Sequence, residues 1–370
     1  MKMEFANGLG MENPRGPMST LPSLQLDMWL RAVTFTALLA APAVMHADIG
    51  YQFVTVGNPG NANDTVTASD GSGLSFGGVS YTYAIGKYDV TLDQYAAFLN
   101  AVAQTDPYSL YNPNMATDLN SAGISQTGSS GSYSYSVIGS GSRPVAWVSW
   151  FDAARMANWM QNGQPTGQGE VAGSTEQGAY TLNGATSGII NKNANAVNWI
   201  PTESEWYKAA YYDPNKGGPG VGGYWTYATR SDTAPGNVVG DGTNRANYNT
   251  GVYSVTQSDT YSSLPNYLTD VGAFGANSSS AYGTYDQNGD VYQWVDGVQT
   301  DGVTRELRGG AWPSDSAKMQ SSFRAFQPVP VPAASDFGFR LATVPEPSAT
   351  VSLVFAGGLL LARRKRPPTL

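Results

Sequence analysis

Pro201-Thr202-Glu203-Ser204-Glu205-Trp206 is the stretch from which the rest of the chain can be read. Proline stiffens the entry, Thr202 is placed to cap the N–H three residues on, and Glu205 to answer it. Glu203 and Glu205 also sit where a helix N-terminus favours negative charge, so both are read as capping groups rather than as an acid-base pair. Trp206, Ala209 and Ala210 follow at helical spacing, and Pro214 ends the run. The same device recurs upstream. Thr91-x-x-Gln94 opens a helix that turns Tyr95, Phe98, Leu99 and Val102 inward. Ser149-x-x-Asp152 opens another, which turns Ala153, Met156, Ala157 and Met160 inward and stops at Asn162-Gly163. Residues 51–56 and 81–88 read as strands on either side of a Gly/Asn/Ser-rich connection. Beyond Gly217 no helical pattern follows up to Ala342, only short aromatic segments broken by Gly, Asn, Pro and Ser. Helices early, irregular β late and no βα alternation predict an α+β, loop-rich fold.

The 370 residues, 41% of them hydrophobic, suffice for one large domain or two ordinary ones. With 28 acidic against 20 basic residues, a formal charge of -8 and no internal basic block, the chain lacks the footprint of a nucleic-acid binder. It has no cysteine, which excludes disulfides, thiolate nucleophiles and Cys-metal sites. The single histidine, His46, lies at the end of a predicted signal peptide, so its removal leaves no imidazole for catalysis or metal binding.

Both ends read as addresses. Arg31, the apolar run 32–44 and the small residues before Asp48 form a secretory signal over residues 1–47, with Met28 a second candidate start and a retained anchor the competing reading. Residues 344–370 begin Val344-Pro345-Glu346-Pro347, continue into a short apolar run and close on Arg363-Arg364-Lys365-Arg366, a basic cluster that marks the cytoplasmic side. The order is similar to the PEP-CTERM sorting signal, with a simple tail anchor as the alternative. That resemblance implies an exosortase partner and removal of the tail. It also implies membrane contact only before processing, and a final place on the outer surface or in the matrix of a Gram-negative bacterium.

Between them, residues 48–343 resemble the sulfatase-modifying-factor (formylglycine-generating-enzyme) family in seven ordered segments. They are Ile85-Gly86-Lys87-Tyr88-Asp89-Val90-Thr91, Pro144-Val145 with Val148-Ser149-Trp150, Pro201-Thr202-Glu203, Tyr282 through Trp294, Leu307-Arg308-Gly309-Gly310-Ala311-Trp312, Phe323-Arg324, and Gly338-Phe339-Arg340-Leu341-Ala342. The resemblance implies a C-type-lectin-like fold. Arg308, Arg324 and Arg340 read as buried structural arginines, and the two glycines after Arg308 as a close backbone approach. Oxidase members of the family bind copper through two cysteines where this chain has Ser314 and, nearby, Met319. No copper is expected, because a hydroxyl and a thioether do not replace two soft thiolates.

The resemblance directs attention to the window after Arg308-Gly309-Gly310, where Trp312, Ser314, Asp315, Lys318, Gln320, Phe326 and Gln327 mix aromatic and hydrogen-bonding groups suited to a polysaccharide or surface-protein ligand. The alternative is an ordinary solvated loop. It also implies Ca2+, carried over to Asp286, the Gly289 and Val291 carbonyls and Gln293, with a second site starting at Asn247 and the Tyr248 carbonyl. The alternative there is a metal-free turn. The rival function is a glycan-processing enzyme using carboxylates drawn from Asp286, Asp290, Asp296 and Asp301.

Overall fold

The structure is a computed structural model that describes residues 48–299, 301–328 and 333–345. The signal peptide and the sorting residues Glu346, Pro347, Arg363, Arg364 and Arg366 lie outside the described residues, which end at Pro345. Among the described residues no helix is long and apolar enough to cross a membrane.

All three capping boxes form. Thr91 caps α1 (Leu92–Val102), and Gln94 returns to the Thr91 N–H at 3.0 Å. The one-turn helix α2 (Asn114–Thr117) has no side-chain cap and no periodic signal in the sequence. Ser149 caps α3 (Trp150–Gln161), with Asp152 returning at 2.7 Å, and Thr202 caps α4 (Glu203–Tyr211), with Glu205 returning at 2.7 Å. Helices this short are marginal alone, so burial of one face must hold them. Tyr95, Phe98, Leu99 and Val102 of α1, Met156 of α3 and Trp206 of α4 are buried, each large side chain contributing about 1.5–3 kcal/mol. Met160 is only half-buried, although its spacing puts it on the inward face.

Strands β1 (Phe53–Val56) and β2 (Tyr83–Gly86) share a sheet with β5 (Asn198–Trp199) and β12 (Ala342–Thr343), in the order β1-β2-β12-β5. Ile85 lies opposite Val54 on one side and Ala342 on the other, so the first and last segments of the domain close against each other. The second sheet holds β8 (Tyr292–Val298), β9 (Thr304–Arg308), β10 (Ala325–Pro328) and β11 (Phe337–Gly338), in the order β10-β9-β8-β11 with β11 parallel to β8. Two small hairpins, β3 (Ile124–Thr127) with β4 (Ser134–Val137) and β6 (Tyr212–Asp213) with β7 (Gly223–Tyr224), complete the strands.

Long loops must find partners for their backbone groups, and here side-chain amides supply them. Asn158 donates to the carbonyls of Thr175 and Tyr180 at 2.6 and 2.9 Å and accepts the Tyr180 N–H at 2.8 Å. Asn120 likewise ties the carbonyls of Ser262 and Pro265, at 3.0 and 2.9 Å. At Asn158 and Asn120 the amide thus replaces a stretch of regular ladder.

Candidate functional site

Arg308 ends β9, and Gly309 follows with φ +102°; a Cβ there would stand 2.7 Å from the Gln287 carbonyl oxygen, so the chain needs glycine at this crossing. Arg308 is fully buried. Its Nε donates to Glu203 at 2.8 Å and its Nη1 to the carbonyls of Ser321 and Phe323 at 2.8 and 2.7 Å. Arg324 closes on the same Glu203 carboxylate at 2.7 and 2.8 Å, reaches Asp70 at 2.7 Å and also meets Glu306. Glu203 keeps its expected place in the first turn of α4 and in addition bridges two guanidinium groups. Glu205 keeps its capping role, and further accepts from Trp199 Nε1 at 3.0 Å and the Tyr81 hydroxyl at 2.6 Å. The two arginines are matched by Glu203 and Asp70. Burial and the neighbouring Glu203 push Glu306 up to about 8, so it keeps its proton at neutral pH. Burial opposes ionisation of Glu203 too, but Arg308 and Arg324 outweigh it and hold Glu203 below the usual range.

Arg308 and Arg324 anchor the two ends of the window. Trp312 is only 7% exposed and stacks on Tyr267 at 4.6 Å with 5° between the planes, which makes it a wall rather than a surface contact. Tyr253 and Tyr261 extend this aromatic group. Ser314 Oγ accepts the Ala311 N–H at 3.1 Å and donates to the Tyr292 hydroxyl at 3.2 Å. Asp315 caps the turn Ser316–Met319, accepting from Ala317 and Lys318 at 3.0 and 3.3 Å. Lys318 lies 4.4 Å over the Phe323 ring, and Gln320 donates to the Tyr227 hydroxyl at 3.2 Å. Met319 is buried among Tyr227, Ala246 and Tyr248. Phe326 and Gln327 instead lie on β10, opposite Glu306 and Arg305, so strand register separates them from the Ser314 turn. Sequence reading did not single out Tyr253, Tyr261, Tyr267 or Tyr292; aromatic density in that half of the chain was the available signal.

Of the residues carried over for calcium, Gln293 is already engaged by a different cation, Arg340. Gln293 Oε1 accepts Trp206 Nε1–H at 2.6 Å and Arg340 Nε–H at 2.7 Å, while its Nε2 donates to the Asp286 carbonyl at 2.9 Å. Arg340, fully buried, also donates to Gly86, Tyr285 and Asp89, at 2.9, 2.7 and 2.9 Å. With both lone pairs of Gln293 Oε1 taken, the set of Asp286, Gly289, Val291 and Gln293 does not fit a calcium shell as folded. At the second set, Asn247 Nδ2 donates to Asp290 at 3.0 Å and the Tyr248 carbonyl already accepts from Asn237 and Ser254, at 3.1 and 3.0 Å. Among the described residues no three His, Cys, Asp or Glu side chains group to hold a metal. Millimolar calcium or chelator is expected to leave the melting temperature of the purified protein unchanged. A calcium-dependent rise that Asp286→Ala removes would mean that Gln293 turns away from Arg340 to ligate the ion.

Of the aspartates considered for glycan chemistry, Asp286 and Asp290 lie near enough for Asp286 to raise Asp290, while Asp296 and Asp301 belong to other contacts. Asp296 pairs with Arg305 at 2.8 Å, and Asp301 caps a surface turn through Val303 and Thr304, each at 2.9 Å. Asp290 is buried and Asp286 half-buried; desolvation raises them to about 7 and about 6, and their hydrogen bonds to Thr269 and to Gly272 serve the fold.

The sequence profile described as "Sulfatase-modifying factor enzyme 1-like domain" matches residues 78–344. With that match, the mixed helix-and-strand, loop-rich body is an α+β domain of the C-type-lectin-like type. The chain is similar to CarF at 19% identity, covering 81% of this chain and 100% of that one with a TM-score of 0.45. It is similar to Treponema denticola variable protein 1 at 19% identity, covering 82% and 100% with a TM-score of 0.49. It is also similar to PvdO from Pseudomonas aeruginosa at 16% identity, covering 82% and 98% with a TM-score of 0.42. No curated protein matches the chain.

Proposed function

This chain belongs to the sulfatase-modifying factor enzyme 1-like family, and on that premise we propose that it is an exported surface or matrix protein whose domain binds rather than catalyses. The carrying observation is the pair Ser314 and Met319. The first is a hydroxyl bonded to Tyr292, the second a thioether buried in an aromatic cluster. Neither is a soft anionic ligand, so copper oxidation of a substrate cysteine has no seat here. What the window offers instead is a polar turn, Ser314 to Gln320, raised on the rigid stack of Trp312 and Tyr267, an arrangement suited to a saccharide or a protein surface. Export rests on the signal at residues 1–47, and placement on the tail from Pro345 to Arg366, which an exosortase would remove.

Combining Ser314→Ala, Lys318→Ala and Gln320→Ala is expected to weaken binding of the purified protein to exopolysaccharide from its own host by about tenfold or more. The melting temperature should fall by no more than about 5 °C, because the three side chains are half-exposed and each gives up only one or two contacts. Binding measured by co-sedimentation that survives all three changes would overturn the window as the binding surface. Intact mass of the mature surface protein is expected to lack Arg363, Arg364 and Arg366; their presence would reduce the tail to an anchor.

A further inference from the structure

We propose that the cleft between Tyr108, Trp147 and Asp152 binds one neutral pyranose unit of a saccharide. This rests on reading the domain as a surface binding module, but not on the window. The cleft has a volume of about 300 Å3, is open to solvent, and is lined by Tyr108, Trp147 and Phe151 together with Ser109, Asp152 and Arg155. Such a volume and such a mix of aromatic and polar groups are those of a small-ligand site.

Two of these residues hold left-handed backbone, Trp147 at φ +62° and Ser109 at φ +57°. For a bulky aromatic this conformation is an outlier, and strain of this kind collects at ligand sites, where surrounding bonds enforce it. Here they do: the Trp147 N–H donates to the Ala334 carbonyl at 3.0 Å and the indole Nε1 to Ser121 at 3.0 Å. Glycine or asparagine would adopt the same backbone with less strain, so the indole is what this position adds.

The polar groups are equally preset. Asp152 accepts the Ser149 N–H at 2.7 Å, which fixes its carboxyl at the cleft wall. Arg155 is fully buried, held by Glu176 at 2.8 and 3.3 Å and by the Ala185 carbonyl at 3.0 Å, and its guanidinium lies 4.3 Å from the Tyr108 ring. Arg155 thus acts as a positioning residue, fixing Tyr108 through a cation–π contact while Glu176 cancels its charge. Asp106, Asp152 and Glu170 add further acidic groups around it. Burial raises Asp152 to about 7 and Glu170 to about 8, and Glu176 offsets Arg155, so the cleft offers a uronic or sulfated sugar little net charge to pair with and suits a neutral one. A pyranose brings an apolar C–H face for the rings and a hydroxyl edge for the Asp152 carboxyl.

The test is titration of the purified protein with neutral gluco-, manno- and galacto-oligosaccharides, with an oligogalacturonate as charged control, followed by calorimetry and tryptophan fluorescence. Binding of at least one neutral series and none of the oligogalacturonate is expected. Trp147→Asn should weaken that binding by about tenfold or more, with relief of the left-handed strain offsetting part of the packing lost with the indole. Tyr108→Ala should weaken it as well and serves if the first variant does not fold. The triple window variant should leave it unchanged. Absence of neutral-sugar binding, preference for the oligogalacturonate, or binding that survives a folded Trp147 or Tyr108 variant overturns the proposal. Loss with the window variant alone also overturns it, while leaving the binding role of the domain intact.

Discussion

Glu203→Gln is expected to destabilise the protein by about 3–5 kcal/mol, the cost of removing one partner from a buried ion network. For a domain of this size that is a fall in melting temperature on the order of 10 °C. The reason lies in the counting of charges. Glu203 accepts from both Arg308 and Arg324, and only Asp70 would remain as an ionised partner beside them. Glu306 then becomes the reserve: burial and Glu203 raise it to about 8, and without the Glu203 charge it should ionise at lower pH to replace it. The double change Glu203→Gln with Glu306→Gln should therefore cost more than the sum of the two singles, because the reserve is gone. Had Glu203 been only a first-turn acid of α4, its loss would cost at most about 1 kcal/mol. Urea melts giving that small value, or strict additivity in the double variant, would return Glu203 to the capping role expected from the sequence.

Raising the pH from 5 to 8.5 is expected to lower the melting temperature by about 5 °C or more. Burial raises Glu170 and Glu306 to about 8, Asp152 and Asp290 to about 7, and Asp286 and Asp336 to about 6. In the unfolded chain such groups release their protons near pH 4, so over this range the folded protein holds protons that the unfolded chain has lost. The stability they contribute is fully present below about pH 4 and is lost as pH climbs through the folded values. Asp70, Asp232, Asp301 and Glu203 are held below the usual range and act in the opposite sense only at lower pH. Glu170 gives the sharpest check, since the residue is 6% exposed and neither carboxylate oxygen has a hydrogen-bond partner among the described residues. Glu170→Gln should raise the melting temperature at pH 8.5 and leave it nearly unchanged at pH 5. A calorimetric profile that is flat between these pH values would show that these groups are ionised in the folded state.

Local chemistry was legible in the sequence wherever a few neighbouring residues decide it. Thr91, Ser149 and Thr202 cap helices because the capping box needs only residues three apart, and each helix buries the face its spacing marks. The absence of cysteine, and with it the expectation that no thiolate copper site forms, is read without coordinates. The buried roles of Arg308, Arg324 and Arg340 followed from guanidinium groups set beside glycines and apolar residues. Long-range pairing was not legible. Glu203 looked like a first-turn acid because Arg308 and Arg324, more than a hundred residues away, carry no local sign of their target. Gln293 looked like a metal ligand because nothing near it reveals that Arg340 and Trp206 occupy its oxygen. Phe326 stands near Ser314 in sequence but on another element, since strand register rather than proximity decides where a side chain goes. Trp147, a residue of no note in the chain, acquired a role only once its backbone was seen to be left-handed and its indole to line a cleft. Helix starts obey interactions within one turn, which sequence contains; charge partners, register and strain are set by closing the chain on itself, which only the tertiary structure performs.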